Sequence, residues 1–418
     1  MDARRYLISI ACLVVNSLPS VAGPGWYSIS VEIGQTPQLA VPLSIDLEGL
    51  VYGEALPTVW RLEGQQRVAL ACQLEPGPTA RLWFVPDKVW GPNTVVNLQL
   101  RFEQDGPMPQ TVTARVDKGL ITLQAQGKEI LRYHCATHPV PDGVDPLYRR
   151  SGFIHPLWSP AGNVLTCIQP PDHYHHYGIW NPWTATIVQG KEVDFWNLAK
   201  GQGTVRFAGL LSTVNGPVYG GFKVRQEHLA FVSQQGELVA INEVWDVRAC
   251  MTAIDGRPVW LVDLATILNP AIDSPIELPS YRYGGGIGFR ATEDWTRENC
   301  SVLTSEGKTR DQADGTRARW CDVRGSNKSG QVSGILFLSH PSNRDHPEPM
   351  RVWPSDAHKE KGYLFFEFCP IRLNGWSLQP GREHCLRYRL IVYDGTLDPK
   401  TMEVLWQNYA YPPRAVLK

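Results

Sequence analysis

The chain has 418 residues, with 40 Lys and Arg against 41 Asp and Glu and a formal net charge of −1. That balance, with no long basic run, argues against a nucleic-acid binder, which needs a cationic face for phosphates. Charged residues make up 19% and hydrophobic ones 43%, which argues against a disordered chain.

Arg4 and Arg5 precede an apolar run at 6–15, and Ser20-Val21-Ala22 offers small residues at −3 and −1. This pattern predicts a signal peptide over 1–22, cleaved after Ala22, and hence a secreted or periplasmic protein. The run is too short for a bilayer and no longer apolar stretch follows it, so no membrane span is expected.

Apolar and polar residues then alternate at 27–32, 38–43, 44–50, 67–74, 80–85 and 95–102, with Gly and Pro between them. Short strands at such spacing predict a small β-sandwich over 23–115. The stretch 104–109 (QDGPMP) reads as a hairpin tip or linker, which places a join near 105–120. Strand patterning resumes at 119–126 and 129–134. It continues at 203–211, 221–230, 238–247, 259–268, 286–291, 334–339, 364–368 and 384–393. These runs predict one large antiparallel β-sandwich over 116–418, so the fold class expected is all-β. One helix stands out near the C-terminus. Asp398 can cap it, Pro399 suits its first turn, and Met402, Leu405, Trp406 and Tyr409 recur at helical spacing.

Eight cysteines follow the signal peptide, irregularly spaced and without a CxxC pair. Cys300 with Cys321 and Cys369 with Cys385 are the local candidates for pairing, and buried free thiols are the alternative.

Between 135 and 183 the periodicity fades and Pro, Gly, His and aromatics crowd together, which predicts a long ordered loop. His155, His173, His175 and His176 fall here, beside Asp172, Arg150, Trp158 and Trp180. Imidazoles with a carboxylate can exchange protons near neutral pH, bind a metal, or hydrogen-bond a polar ligand. Read as an extended segment, 172–176 puts His173 and His175 on one face, and Asp172 and His176 on the other. Two imidazoles on a face favour acid–base work, so neither a metal nor another cofactor is expected. His155, Asp172, His173, His175 and His176 are the candidate catalytic residues, lining one pocket at the rim of the large sandwich. Trp158, Trp180, Trp183 and Trp196 offer stacking surfaces. Outside the loop, Tyr-Arg-Tyr-Gly-Gly-Gly at 281–286 reads as a close backbone approach rather than a phosphate loop. Arg290, Asp322 and His340 are further candidates for ligand contact.

Several stretches resemble a family of secreted bacterial proteins carried under the label PmoA-like, or methane oxygenase. They are 131–133, 148–157, 159–162, 165–166 and 171–176, with Arg319-Trp320-Cys321-Asp322, His340-Pro341 and 409–413. The resemblance departs at Cys167 and Tyr177, where the family pattern carries charged residues. The methane subunit of that name spans the membrane several times, and nothing after residue 22 is apolar enough to do so. The resemblance therefore implies a family rather than methane chemistry. It also implies a shape similar to the galactose-mutarotase supersandwich, whose members act on sugars.

These signals lead to a secreted carbohydrate-active enzyme, a lyase, hydrolase or epimerase, that takes a glycan or other polar small molecule. A non-catalytic glycan-binding module and a metal-dependent histidine-cluster enzyme are the alternatives.

Overall fold

The computed structural model describes residues 25–50, 53, 55–103, 111–232, 236–357 and 361–418. The expected signal peptide and the 104–109 linker lie outside them. Among the described residues no helix is long and apolar enough to cross a membrane.

The protein is all-β. Two antiparallel sheets, of nine and eight strands, face each other across the main core. The nine-stranded sheet runs from Arg317–Ala318 at one edge to Val112–Asp117 at the other. At its middle lie Phe365–Phe368, Ile287–Arg290, Ile179–Trp180, Ile154–Leu157 and Lys128–His134. The eight-stranded sheet holds the long strands Gly203–Val214, Gly220–Val232, Gly236–Ile254, Arg257–Pro270 and His384–Asp394. Tyr133, Phe289 and Phe366 from the first sheet meet Trp245, Phe337 and Leu390 from the second. Side chains alternate across a strand, so the neighbours of these inward residues point to the outer face. Phe289 points in and Arg290 out; Phe366 points in and Phe365 out; Ile179 points in and Trp180 out.

The helix Pro399–Ala410 forms where expected, with Asp398 accepting from the backbone of Lys400 and Thr401. Its Met402, Leu405 and Trp406 cover the outer face of the eight-stranded sheet at Leu261, Leu336 and Ile391.

The N-terminal part forms a five-stranded and a three-stranded sheet around its own core of Ile29, Val31, Leu82, Phe84, Leu98 and Leu100. Its boundaries differ from the sequence reading in two places. Val112–Asp117 already belongs to the large sheet, and the last strand, Arg414–Leu417, pairs with Tyr27–Glu32. The chain end therefore returns to the first sheet instead of closing the second. Leu56–Glu63 also forms a strand that the pattern does not reveal, because Pro57 interrupts the run. Arg248 joins the two parts by an ion pair to Glu75 at 2.7 Å, and buried Gln73 accepts from the backbone of Val218 and Tyr219.

All eight described cysteines are free, and neither local pair forms. In the ladder Cys300 lies opposite Gly325 and Cys321 opposite Thr304, while Cys385 lies opposite Ile267 on another strand pair. The glycines at 284–286 all have positive φ, and a Cβ on Gly285 would sit 2.1 Å from the Trp183 ring. They permit close approach, and no phosphate cradle results.

Several acids are buried in this core. Glu348 accepts from Asn343 Nδ2 at 2.8 Å and from Tyr388 at 2.9 Å, as well as from Ser339. Burial, only partly offset by these donors, pushes its carboxyl up to about 7. A raised folded pKa means that the native state holds the proton more tightly than the unfolded chain. Stability should therefore fall as pH rises from about 4.5 to about 7, by up to about 3 kcal/mol, and level off above that. Glu348→Gln should flatten this slope and raise stability at pH 8 relative to wild type. Urea melts across that pH range check it; parallel curves for both proteins would contradict it.

Candidate functional site

Proline at 170 and 171 cannot continue a strand, and the chain turns twice in succession. His173 N–H donates to Pro170 O at 2.9 Å, and His176 N–H to His173 O at 3.0 Å. Below these turns Ile168 bridges Tyr177, and Gln169 donates its backbone N–H to His176 O at 2.8 Å. The segment is thus a closed loop rather than an extended strand. This corrects the face assignment: His173, His175 and His176 all converge, with ring centroids 4.6–5.2 Å apart. One ring nitrogen from each lies within 4.8 Å of the others. The expectation of no metal rested on the extended reading, and the geometry removes that basis.

Asp172 lies on the same side as the imidazoles. Its carboxylate takes Arg290 Nη2 on both oxygens at 2.8 Å and His173 Nδ1 at 3.0 Å. Burial alone would raise this acid, but the hydrogen bond from His173 and the Arg290 charge outweigh it and hold it well below the usual range. Arg290 is wholly buried on the outer face of the nine-stranded sheet. Its guanidinium lies 5.0 Å from the Trp353 ring and 5.4 Å from Tyr363. Among the described residues its Nε and Nη1 have no hydrogen-bond partner, and its ion pair is to Asp172.

Behind the imidazoles stands an apolar layer of Trp180, Trp196, Trp353 and Phe365, joined by Phe153 and Tyr177. Trp353 is 4.8 Å from His173, Trp180 is 5.2 Å from His176, and Phe365 is 5.0 Å from His176. His176 is buried, whereas His173 and His175 are half-buried and reach the surface. Burial, reinforced by neighbouring His173, holds the His175 ring down at about 4, so it is neutral near pH 7. A neutral imidazole has a lone pair for a proton or a metal. Tyr148 and Tyr174, both partly exposed and 5.6 Å apart, stand at the open side.

The other sequence candidates are placed elsewhere. His155 Nδ1 pairs with Thr166 Oγ1 at 2.9 Å, and burial pushes its ring down to about 3. His155 is on the short strand Ile154–Leu157 and is not one of the three clustered histidines. Arg150 is buried under Tyr177, at 5.4 Å, and bonds backbone oxygens of Ser151 and Gly152. Trp158 stacks with Arg132 and borders a different cavity of about 300 Å³ with Lys128, Glu129 and 159–162. Asp322 is buried in the eight-stranded sheet between Tyr393 and Arg324. His340 bonds Ser342 beside Tyr409 of the C-terminal helix. Trp180, Trp183 and Trp196 are all buried, so none offers a free face for stacking on a ligand. Trp180 and Trp196 pack where the loop covers the outer face of the sheet, and Trp183 packs in the main core. Sequence reading missed Trp353, Tyr363 and Phe365. The signal for them is the aromatic density of 353–368, a stretch bearing Trp, Tyr and three Phe.

Two further anions hold the surroundings. Asp194 accepts from Thr184, from the backbone of Trp196 and Asn197, and from Lys200 at 2.8 Å, fixing the turn that carries Trp196. Glu243 sits in the core below, bonded by His228 at 2.8 Å, Trp245 at 2.6 Å and Asn181, the residue after Trp180.

Residues 120–407 match a family of unknown function, DUF6807, and the chain belongs to it. No curated protein matches. Among solved structures, the Slr1438 protein from Synechocystis sp. PCC 6803 aligns at 12% identity, over 69% of this chain and 98% of its own, with a TM-score of 0.28. A likeness that distant carries no inference here.

Asp172 is the one ion-pair partner of Arg290 among the described residues. Asp172→Ala should therefore strand a buried charge. Breaking a fully buried pair costs roughly 3–5 kcal/mol, and the partial exposure of Asp172 reduces this to about 2–3 kcal/mol. Chemical denaturation checks it, and an unchanged midpoint would mean that Arg290 is compensated by something else.

Proposed function

We propose that this member of the family is an exported enzyme that performs proton-transfer chemistry on a glycan or modified sugar at the His173–His175–His176 cluster. The observation that supports it is the convergence of three imidazoles and an arginine-clamped carboxylate on the outer face of the sandwich, with two of the imidazoles open to solvent. A cluster kept only to tie the loop down would have little reason to expose His173 and His175 together.

Each part has a role that follows from its surroundings. His175 offers a neutral imidazole to a proton. Asp172, kept ionised by Arg290, orients His173 through Nδ1. The buried tryptophans and Phe365 keep water away from the rear of the rings, which strengthens electrostatic contacts at the front. Asp172 is already committed to Arg290 and His173, so a glycosidase that relies on two free carboxylates fits poorly. Lyase or epimerase chemistry, in which one group takes a proton and another stabilises the charge, fits better. The glycan class is carried by the resemblance to secreted proteins, and the proton chemistry by the geometry.

Incubation with a broad oligosaccharide panel, followed by product analysis, is the test. His175→Ala should lower turnover at least about a hundredfold, the range for losing a general acid or base. Its thermal midpoint should barely move, because the ring is half-buried and fills no core. Binding without turnover on every glycan would defeat the enzyme reading. An unfolded variant whose residual folded fraction stays fully active would make the histidines structural.

A further inference from the structure

We propose that His173, His175 and His176 bind one divalent first-row transition-metal ion, zinc or copper foremost. For the purpose of the metal this rests on the reading above; for its binding it does not.

The geometry comes first. One ring nitrogen of each histidine already lies within 4.8 Å of the other two. Tetrahedral coordination at about 2.0–2.1 Å needs ligand nitrogens about 3.3–3.4 Å apart. Small side-chain rotations close that gap, and the backbone turns that bring the three residues together are already hydrogen-bonded. Three protein ligands with a solvent-facing side match a zinc centre that keeps a position open, and an all-imidazole set suits zinc, copper or nickel.

The second observation is the carboxylate beside the cluster. Metal-binding imidazoles commonly donate their other N–H to a carboxylate, which fixes the tautomer and makes the ligand more basic. His173 Nδ1 is 3.0 Å from Asp172 Oδ2, the contact by which a carboxylate fixes the tautomer of such a ring. Asp172 is itself held on both oxygens by buried Arg290. This chain of contacts gives His173 one orientation before any ion arrives.

Charge is the third. An ion of charge +2 next to a bare guanidinium would be repelled. Arg290 and Asp172 cancel each other at 2.8 Å, and the carboxylate of Asp194, itself paired with Lys200, is near enough to be felt at His175. The aromatic layer closes the rear of the site and the solvent-facing side leaves the fourth position for a water or a substrate oxygen.

The test uses the exported chain freed of any affinity tag and stripped with a chelator. Titration calorimetry with zinc, copper(II) and nickel(II) chlorides, in separate runs, should show one ion per chain for at least one metal. The expected Kd is about 1 µM or tighter. Cobalt(II) should give the visible absorption of a four- or five-coordinate nitrogen site. His175→Ala should abolish that spectrum and weaken binding at least tenfold. Asp172→Asn should keep the stoichiometry and lose about 10–100-fold in affinity. No binding of any of the three metals up to about 100 µM would overturn the proposal, as would unchanged binding by both variants. Binding with no turnover on any glycan would leave the metal site standing and remove the enzyme reading.

Discussion

A guanidinium with no solvent exposure must find an anion, and the site is organised around that need. Arg290 emerges on the outer face of the nine-stranded sheet because Phe289, its neighbour, belongs to the core. Asp172 answers it from a loop 118 residues earlier in the chain. The pair fastens the loop to the sheet, holds Asp172 ionised, and through Asp172 orients His173. A charge that would be costly if left alone thereby becomes the means of aiming an imidazole.

The remaining order follows from covering that outer face. Trp180 and Phe365 share it with Arg290, and Trp196 and Trp353 come in from flanking segments to exclude water around the guanidinium. The imidazoles lie over this aromatic floor. The tryptophans are therefore the floor of the site and not its ligand platform. Asp194 and Glu243 work one layer further back, fixing the turns that bear Trp196 and Trp180. Each of these buried acids is satisfied by several donors, as low-dielectric surroundings require.

The N-terminal sheets are attached by different means. They keep a separate apolar core, and they meet the large sandwich through polar contacts, Arg248 to Glu75, Gln73 to the 218–219 backbone and Asn408 to Leu39, and through apolar ones, Val41 beneath the C-terminal helix and Trp83 against Tyr219. The closing strand Arg414–Leu417 ties both chain ends into one sheet. The Pro412-Pro413 pair that stops the helix also releases the chain to make that return.

The class of structure is legible in the amino-acid sequence. Period-two alternation marks strands wherever one face is buried and the other is not, and it locates most of the long ones. The capping Asp398 and the spacing of Met402, Leu405 and Trp406 are local signals, and the helix obeys them. The crowding of histidines at 173–176 beside Asp172 likewise identifies where chemistry is concentrated. Which way those groups face depends on long-range folding. Local periodicity assigns an extended segment two opposite faces, but Pro170 and Pro171 and the bridge from Ile168 to Tyr177 fold it into turns that gather all three rings. The partners that give the cluster its character, Arg290 and Trp353, come from distant strands and turns whose approach depends on sheet order. Sheet order is set by the packing of the whole core, and no local window of sequence contains it.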